Sequence, residues 1–300
     1  MLTQSLETLV INGQRIEITE GNGFFHYILN LEGRKVFYKT LKAVPLNKKP
    51  ILKTLRVLDS LIVSVLASSN PGIGSLVDLS KSGIEKEART LKAWKNAGIS
   101  TPEIIGYSQN FIVCDYIEGS ISYSKLLRGE AKPTEFRVLL DAYNKIRTLA
   151  KTNANTNLLH SDPILSNFLY IPQNYLAMPI DPHLALNPKK CLEEVDAALN
   201  LKFLYDIFRL QIENHVMQSY FDGFVERLEP CEAKRMKEFN QEKFVSGIAK
   251  AYLWVREPFA AFITNRPRIN LGDILANMFP NHDKNKVMLL NKILESRYCA

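Results

Sequence analysis

Apolar and polar positions alternate from Leu9 to Ile18 on either side of Asn12-Gly13, a dipeptide suited to a tight hairpin turn, so the pattern predicts two short antiparallel strands. A second pair follows in FFHYILNL and KVFYKTLK, joined at Glu32-Gly33. The period changes after Ser82. In GIEKEARTLKAWKNAGI, residues Ile84, Ala88, Leu91 and Trp94 recur at three- and four-residue steps, the stripe of an amphipathic helix. Gly98 stands where a helix C-terminal cap is expected, and Pro102 blocks continuation. EIIGYS and FIVCDYI read as two further strands, and Glu118-Gly119 ends them. From Lys132 the pattern is mainly helical, broken by a loop-and-strand stretch from His160 to Leu186. The aromatic and aliphatic residues between Leu201 and Phe279 read as core, and Trp94 and Trp254 as packing residues.

The order of elements therefore predicts an α+β chain with a smaller β-rich part over 1–118 and a larger helical part over 119–300. One insertion interrupts the first part at residues 45–80. There Pro45 and Pro50 bracket a basic loop, Ile51 to Ser68 has helical periodicity, and Asn70-Pro71-Gly72 breaks it.

Composition narrows the class. With 300 residues and 46% hydrophobic content, the chain has mass enough for a sizeable core and is no disordered segment. Gly and Pro, 14 each, exclude collagen-like and linker-like readings. The 38 Lys and Arg against 31 Asp and Glu leave a formal charge of +7, a mild bias compatible with anionic ligands; nucleic acid is not the expected partner. Cys114, Cys191, Cys231 and Cys299 are widely spaced and form no metal-binding pattern, so reduced thiols are expected. The N-terminal residues lack the profile of a secretory signal, and the longest apolar stretch, Val57 to Ala67, carries Asp59 and is too short to span a bilayer. The expectation is a soluble cytoplasmic protein.

One segment carries chemistry. LLHSDPILSNFLYIPQNYLAMPIDPHLAL contains His160, Asp162 and Asn167 in the pattern H-x-D-x-x-x-x-N, and Asp181 follows a short strand-turn-strand. Phosphoryl transfer uses such a set. A carboxylate receives the proton of the acceptor hydroxyl, as Asp162 is placed to do, and further oxygens hold a divalent cation against the phosphates, a role suited to Asn167 and Asp181.

In this order the chain resembles the protein-kinase-like superfamily over residues 9 to 210. HSDPILSN stands at that family's catalytic loop and IDPH at its Asp-Phe-Gly element. The resemblance implies a bilobal fold, ATP as nucleotide and Mg²⁺ as metal, and a hydroxyl-bearing acceptor. It matches Lys39, closing KVFYK, to the phosphate-contacting lysine, and Glu87 to the helix glutamate that pairs with it. Asp115, Tyr116 and Ile117 stand at the hinge that takes the adenine, and Gly21 and Gly23 stand in a reduced glycine-rich loop. The rhythm of KEARTLKAWKNAGISTPEIIGYSQNFIVCDYIEG is similar to that of two groups of small atypical kinases: those of lipopolysaccharide core heptose and those associated with tRNA threonylcarbamoylation. Aminoglycoside and choline phosphotransferases are more distant relatives.

The departures from the pattern are specific. The catalytic loop reads His-Ser-Asp, without an arginine to receive a loop phosphate, and no long segment or Ala-Pro-Glu element follows Asp181. Pro182 and His183 replace the usual Phe and Gly. His160 reads as a structural side chain and His183 as a loop residue. The acceptor stays open among a sugar, a glycolipid, another small molecule and a protein Ser or Thr. The thin glycine loop keeps a non-catalytic, kinase-shaped binding module as the alternative. The basic stretches Leu46 to Arg56 and Lys234-Arg235-Lys237 are candidates for an anionic surface, such as glycolipid or membrane headgroups at the inner membrane face.

Overall fold

The computed structural model describes residues 7–11, 14–20, 24–31, 33–41, 77–78, 83–129, 133–186, 190–210, 212–240 and 283–298, together with Trp254 and Pro258. The expectations for Gly21 and Gly23, for the basic stretch 46–56 and for all of the insertion except residues 77–78 lie outside these residues.

Six strands form the main sheet: β1 (Glu7–Ile11), β2 (Gln14–Glu20), β3 (Phe24–Leu31), β4 (Arg34–Leu41), β6 (Ile104–Tyr107) and β7 (Phe111–Asp115). Their order is β1-β2-β3-β4-β7-β6, and every pairing is antiparallel. The registers follow from the turn chemistry. Ile11 faces Gln14 and Leu31 faces Arg34, the spacing that two-residue connections impose. Gly33 has a φ of 82°, a left-handed conformation that suits glycine.

Helix α1 (Ile84–Asn96) lies against β6 and β7 and buries the stripe read from the sequence, with Ile84, Ala88 and Trp94 at 0% exposure. It stops for a local reason. Gly98, at φ 78°, donates its N–H to the Lys95 carbonyl while the Ile99 N–H reaches that of Trp94, so two orphan carbonyls of the last turn are satisfied. Trp94 also donates its indole N–H to the Leu158 carbonyl at 2.7 Å, which ties the helix to the segment before His160. Trp254, which the sequence suggested as packing, is instead 70% exposed.

The rest is mainly helical, as the order of elements implied, so that a β-rich first part is followed by a larger helical second part. Helices α2 (Pro133–Thr152), α3 (Leu192–Ile207), α4 (Asn214–Val225), α5 (Pro230–Phe239) and α6 (Lys284–Tyr298) enclose an aromatic core. Within it Tyr143 of α2 stacks on Phe203 of α3, with ring centroids 4.9 Å apart. Arg147 of α2 makes a two-pronged ion pair with Asp196 of α3 at 2.9 and 2.8 Å, and reaches Glu232 of α5 at 3.0 Å.

Two small sheets complete the frame. Strands β8 (Ile121–Ser122), β9 (Phe168–Ile171) and β10 (Leu176–Pro179) form one, and the β9–β10 hairpin is the strand-turn-strand expected between Asn167 and Asp181. In the other, β11 (Ala185–Leu186) pairs with β5 (Val77–Asp78), so the chain just beyond Asp181 is hydrogen-bonded to a strand from the first part. No helix among the described residues is long and apolar enough to cross a membrane.

Candidate active site

Three charged side chains from three elements converge beneath the main sheet. Strand β4 delivers Lys39, α1 delivers Glu87, and the loop after β10 delivers Asp181. The Lys39 Nζ lies 2.7 Å from Glu87 Oε2 and 2.5 Å from Asp181 Oδ1. The side chains of Lys39 and Glu87 are 3% and 7% exposed. An amine so buried is tolerated only if paired. Burial works against the Lys39 charge, but the charges of Glu87 and Asp181 outweigh it and raise its pKa, so it remains an ammonium. Burial likewise pushes Asp181 up, and Lys39 and then His183 overcome it, leaving this carboxyl far below the usual range.

Asp181 has a φ of 60°, a conformation that Asp adopts more readily than most residues but one that still needs holding. The adjacent Ile180 N–H donates to the Asn167 carbonyl at 2.9 Å, and His183 Nδ1 lies 2.8 Å from Asp181 Oδ1. Among the described residues, the Asp181 carboxylate has Lys39 and His183 as partners, both on Oδ1. His183 is thus more than the bare loop residue suggested by the sequence.

The second half of the site is the loop from His160 to Asn167. His160 is fully buried against Trp94 and Phe168, and its Nδ1 accepts the Asp162 N–H at 3.3 Å. Burial lowers its pKa to about 4, so it stays neutral and structural. Asp162 is held at both oxygens: Asn167 Nδ2 donates to Oδ2 at 3.1 Å, and Lys202 Nζ lies 2.5 Å from Oδ1. Burial opposes the charge of Asp162, but Lys202 outweighs it and holds the pKa low, so the residue is a carboxylate able to accept a proton. Asn167 Nδ2 donates to the Asp162 carbonyl as well, at 2.9 Å. Its amide nitrogen being so committed, the Asn167 Oδ1 is the acceptor this side chain has to offer. Together with a carboxylate oxygen of Asp181, it is the hard donor type that Mg²⁺ takes.

At the hinge the structure narrows the expectation. The Asp115 N–H donates to the Glu103 carbonyl and the Tyr116 N–H to that of Lys35, so both are spent on the sheet. The Asp115 carboxylate is engaged by Arg34 at 2.6 Å. Of the three residues, Ile117 is the one whose N–H has no backbone acceptor among the described residues, while its carbonyl takes Ser120.

Two side chains escaped the sequence reading. Lys202 and Asp206 of α3 both touch the loop, the first at Asp162 and the second by accepting the Leu165 N–H at 2.7 Å. A signal was present. In LEEVDAALNLKFLYDI these two charges stand four residues apart, on one face of a helix whose other residues from Val195 on are nearly all apolar.

A family model described as the RIO domain matches residues 72–181, a stretch from just before β5 to Asp181 that contains Glu87, Asp162 and Asn167 but not Lys39. Similar solved structures include a choline/ethanolamine kinase family protein from Mesorhizobium loti, at 12% identity over 95% of this chain and 92% of that one, with a TM-score of 0.45. An ethanolamine kinase from Plasmodium vivax is similar at 8% identity, over 97% of this chain and 85% of that one, with a TM-score of 0.42. WaaP in complex with acyl carrier protein is similar at 13% identity, over 82% of this chain and 88% of that one, with a TM-score of 0.38. No curated protein matches the chain.

Proposed function

We propose that this chain, a protein of the protein-kinase-like fold, is a phosphotransferase that moves the γ-phosphoryl group of ATP to an acceptor hydroxyl. The observation that carries the reading is the pairing of buried Lys39 with both Glu87 and Asp181, in a fold where the loop bearing Asp162 and Asn167 is bonded to the Asp181 segment. A lysine, a helix glutamate and a loop aspartate from distant parts of the chain are of little use as a mere stability device, since buried ion pairs gain little over apolar packing. They suit the holding of a polyphosphate.

In this reading Lys39, oriented by Glu87, contacts the nucleotide phosphates, and the Ile117 N–H is the donor available to the adenine. Asn167 and Asp181 hold Mg²⁺. Two protein ligands make no closed cage, which fits an ion bound through one or two protein oxygens and substrate phosphates. Mg²⁺ would neutralise charge on the phosphate oxygens when bound. The protein's own part is placement and proton transfer. The acceptor O–H gives its proton to Asp162, its oxygen bonds to the γ-phosphorus, and the bond from that phosphorus to the β,γ-bridging oxygen breaks, its electron pair leaving on ADP.

The acceptor is a hydroxyl of a small molecule or glycolipid in preference to a docked peptide. The support for this is the short path from Asp181 to α3, part of which is taken up by the β11–β5 pairing. Isothermal titration tests the nucleotide step: Mg·ATP should bind the wild type, while Lys39→Met and Asp181→Asn should each weaken it by about tenfold or more, the value of one charged contact. Absence of any nucleotide binding to the wild type would favour a non-catalytic module.

A further inference from the structure

We propose that Lys202 of α3 is a positioning residue of the transfer site, holding Asp162 in the orientation that receives the acceptor hydroxyl and supplying a cation beside the transferring phosphoryl group. The inference rests on the phosphotransferase reading and deepens it.

Lys202 stands in unfavourable surroundings for a charge. Its neighbours Leu199, Leu201, Phe203 and Leu204 are at most 3% exposed, and its own side chain is 19% exposed. A lysine stem in such a helix covers apolar surface, but its ammonium must find a partner at the one place it emerges. That place is Asp162 Oδ1, at 2.5 Å.

The contact is geometrically supported from both ends. One turn along α3, Asp206 accepts the Leu165 N–H, so the same helix face grips the loop at two points and fixes the height of Lys202 relative to Asp162. On the other side Asn167 Nδ2 holds Oδ2. With one donor on each oxygen, the carboxylate cannot rotate about its last bond without losing a contact. This is the fixed aim that proton transfer from a positioned hydroxyl requires.

The charge has a second use. Lys39 already pairs with two carboxylates, Glu87 and Asp181, whereas among the described residues Lys202 makes its ion pair with Asp162, and Asp206 feels its charge from one turn away. When Asp162 accepts the acceptor's proton its negative charge is lost, and the ion pair with Lys202 is lost with it. The ammonium, having lost its ion-pair partner, is then freer to face the spread negative charge of the phosphoryl group, an interaction stronger in the transition state than before it.

The test needs no knowledge of the acceptor. Wild type, Lys202→Met and Lys202→Arg are titrated with Mg·ADP, alone and with aluminium fluoride, which mimics the phosphoryl group in transfer. Methionine keeps the stem's packing and removes the charge. The wild type should bind Mg·ADP and tighten by about 100-fold with the fluoride. Lys202→Met should bind Mg·ADP as the wild type does and lose about 100-fold of the affinity for the fluoride complex, with Lys202→Arg restoring part of it. Equal tightening in Lys202→Met overturns the proposal, and so does a parallel loss of Mg·ADP binding and melting temperature, which marks a purely structural role. A wild type that binds no Mg·ADP fails at the earlier step and removes the phosphotransferase reading with it.

Discussion

The Gly83 N–H, at the entry to the helix that carries Glu87, donates to the carbonyl of His183, two residues beyond Asp181, at 2.8 Å. This bond joins the two carboxylates that share Lys39. Shifting α1 would draw Glu87 from Lys39 and pull on the Asp181 loop at once. Gly83 makes the bond at a φ of 148°, which side-chain-bearing residues rarely adopt. Gly83→Ala should therefore cost about 1–3 kcal/mol and raise the KM for ATP more than it lowers the affinity for the acceptor. Chemical denaturation and steady-state kinetics together check this, and a stable variant with unchanged KM would contradict it.

Lys86 makes the same link through its side chain, reaching the Pro182 and Asn157 carbonyls at 3.3 Å each. Burial lowers its pKa to about 8, and the charge of neighbouring Glu87 only partly opposes this. The folded-state value lies below the ordinary 10.5, so between the two the unfolded chain binds a proton that the folded chain has released. Stability from this group accordingly rises with pH across that window, as the cost of the buried charge is relieved. Thermal melts of wild type and Lys86→Met should show the wild type gaining relative to the variant as pH climbs above about 8. A constant difference would contradict the burial of a charged amine.

Far from the site, Arg147, Asp196, Glu232 and Lys151 tie α2 to α3 and α5. Burial opposes the charges of Asp196 and Glu232, but Arg147 outweighs it in both and keeps their pKa values low. Their stabilising contribution is full above the ordinary carboxylate range and is lost as pH falls through the depressed folded values. Arg147→Met leaves Asp196 buried with Lys151 alone and should cost about 3–5 kcal/mol. It should also flatten the acid limb of the stability curve. Urea titrations of the two proteins from neutral to acid pH measure both effects.

Much of this was legible in the sequence because the signals were local. Hairpin turns, the stripe of α1 and its Gly98 stop each depend on neighbours within a few residues, and the strands and helices stand where those patterns put them. His160, Asp162 and Asn167 were visible for the same reason, lying in one short loop. The pairing of Lys39 with Glu87 came from a family resemblance, and the contact of Lys39 with Asp181 was not read at all, since nothing in the spacing of positions 39, 87 and 181 implies contact. Lys202 and the use of the Asp115 and Tyr116 amides by the sheet were not legible. Both depend on how distant elements dock: α3 against the loop from His160 to Asn167, and β7 against the ends of its neighbours.

The most direct measurement of the account is transfer of γ-labelled phosphate from ATP into a cell extract, resolved by mass, for wild type and Asp162→Asn. Asparagine keeps the size of Asp162 but cannot accept the proton. The wild type should label an acceptor of hydroxyl type, and Asp162→Asn should label it at least about 100 times more slowly, the usual contribution of a positioned base, while still binding Mg·ATP. Equal labelling by the two proteins would contradict the assignment of Asp162 and the site built around it.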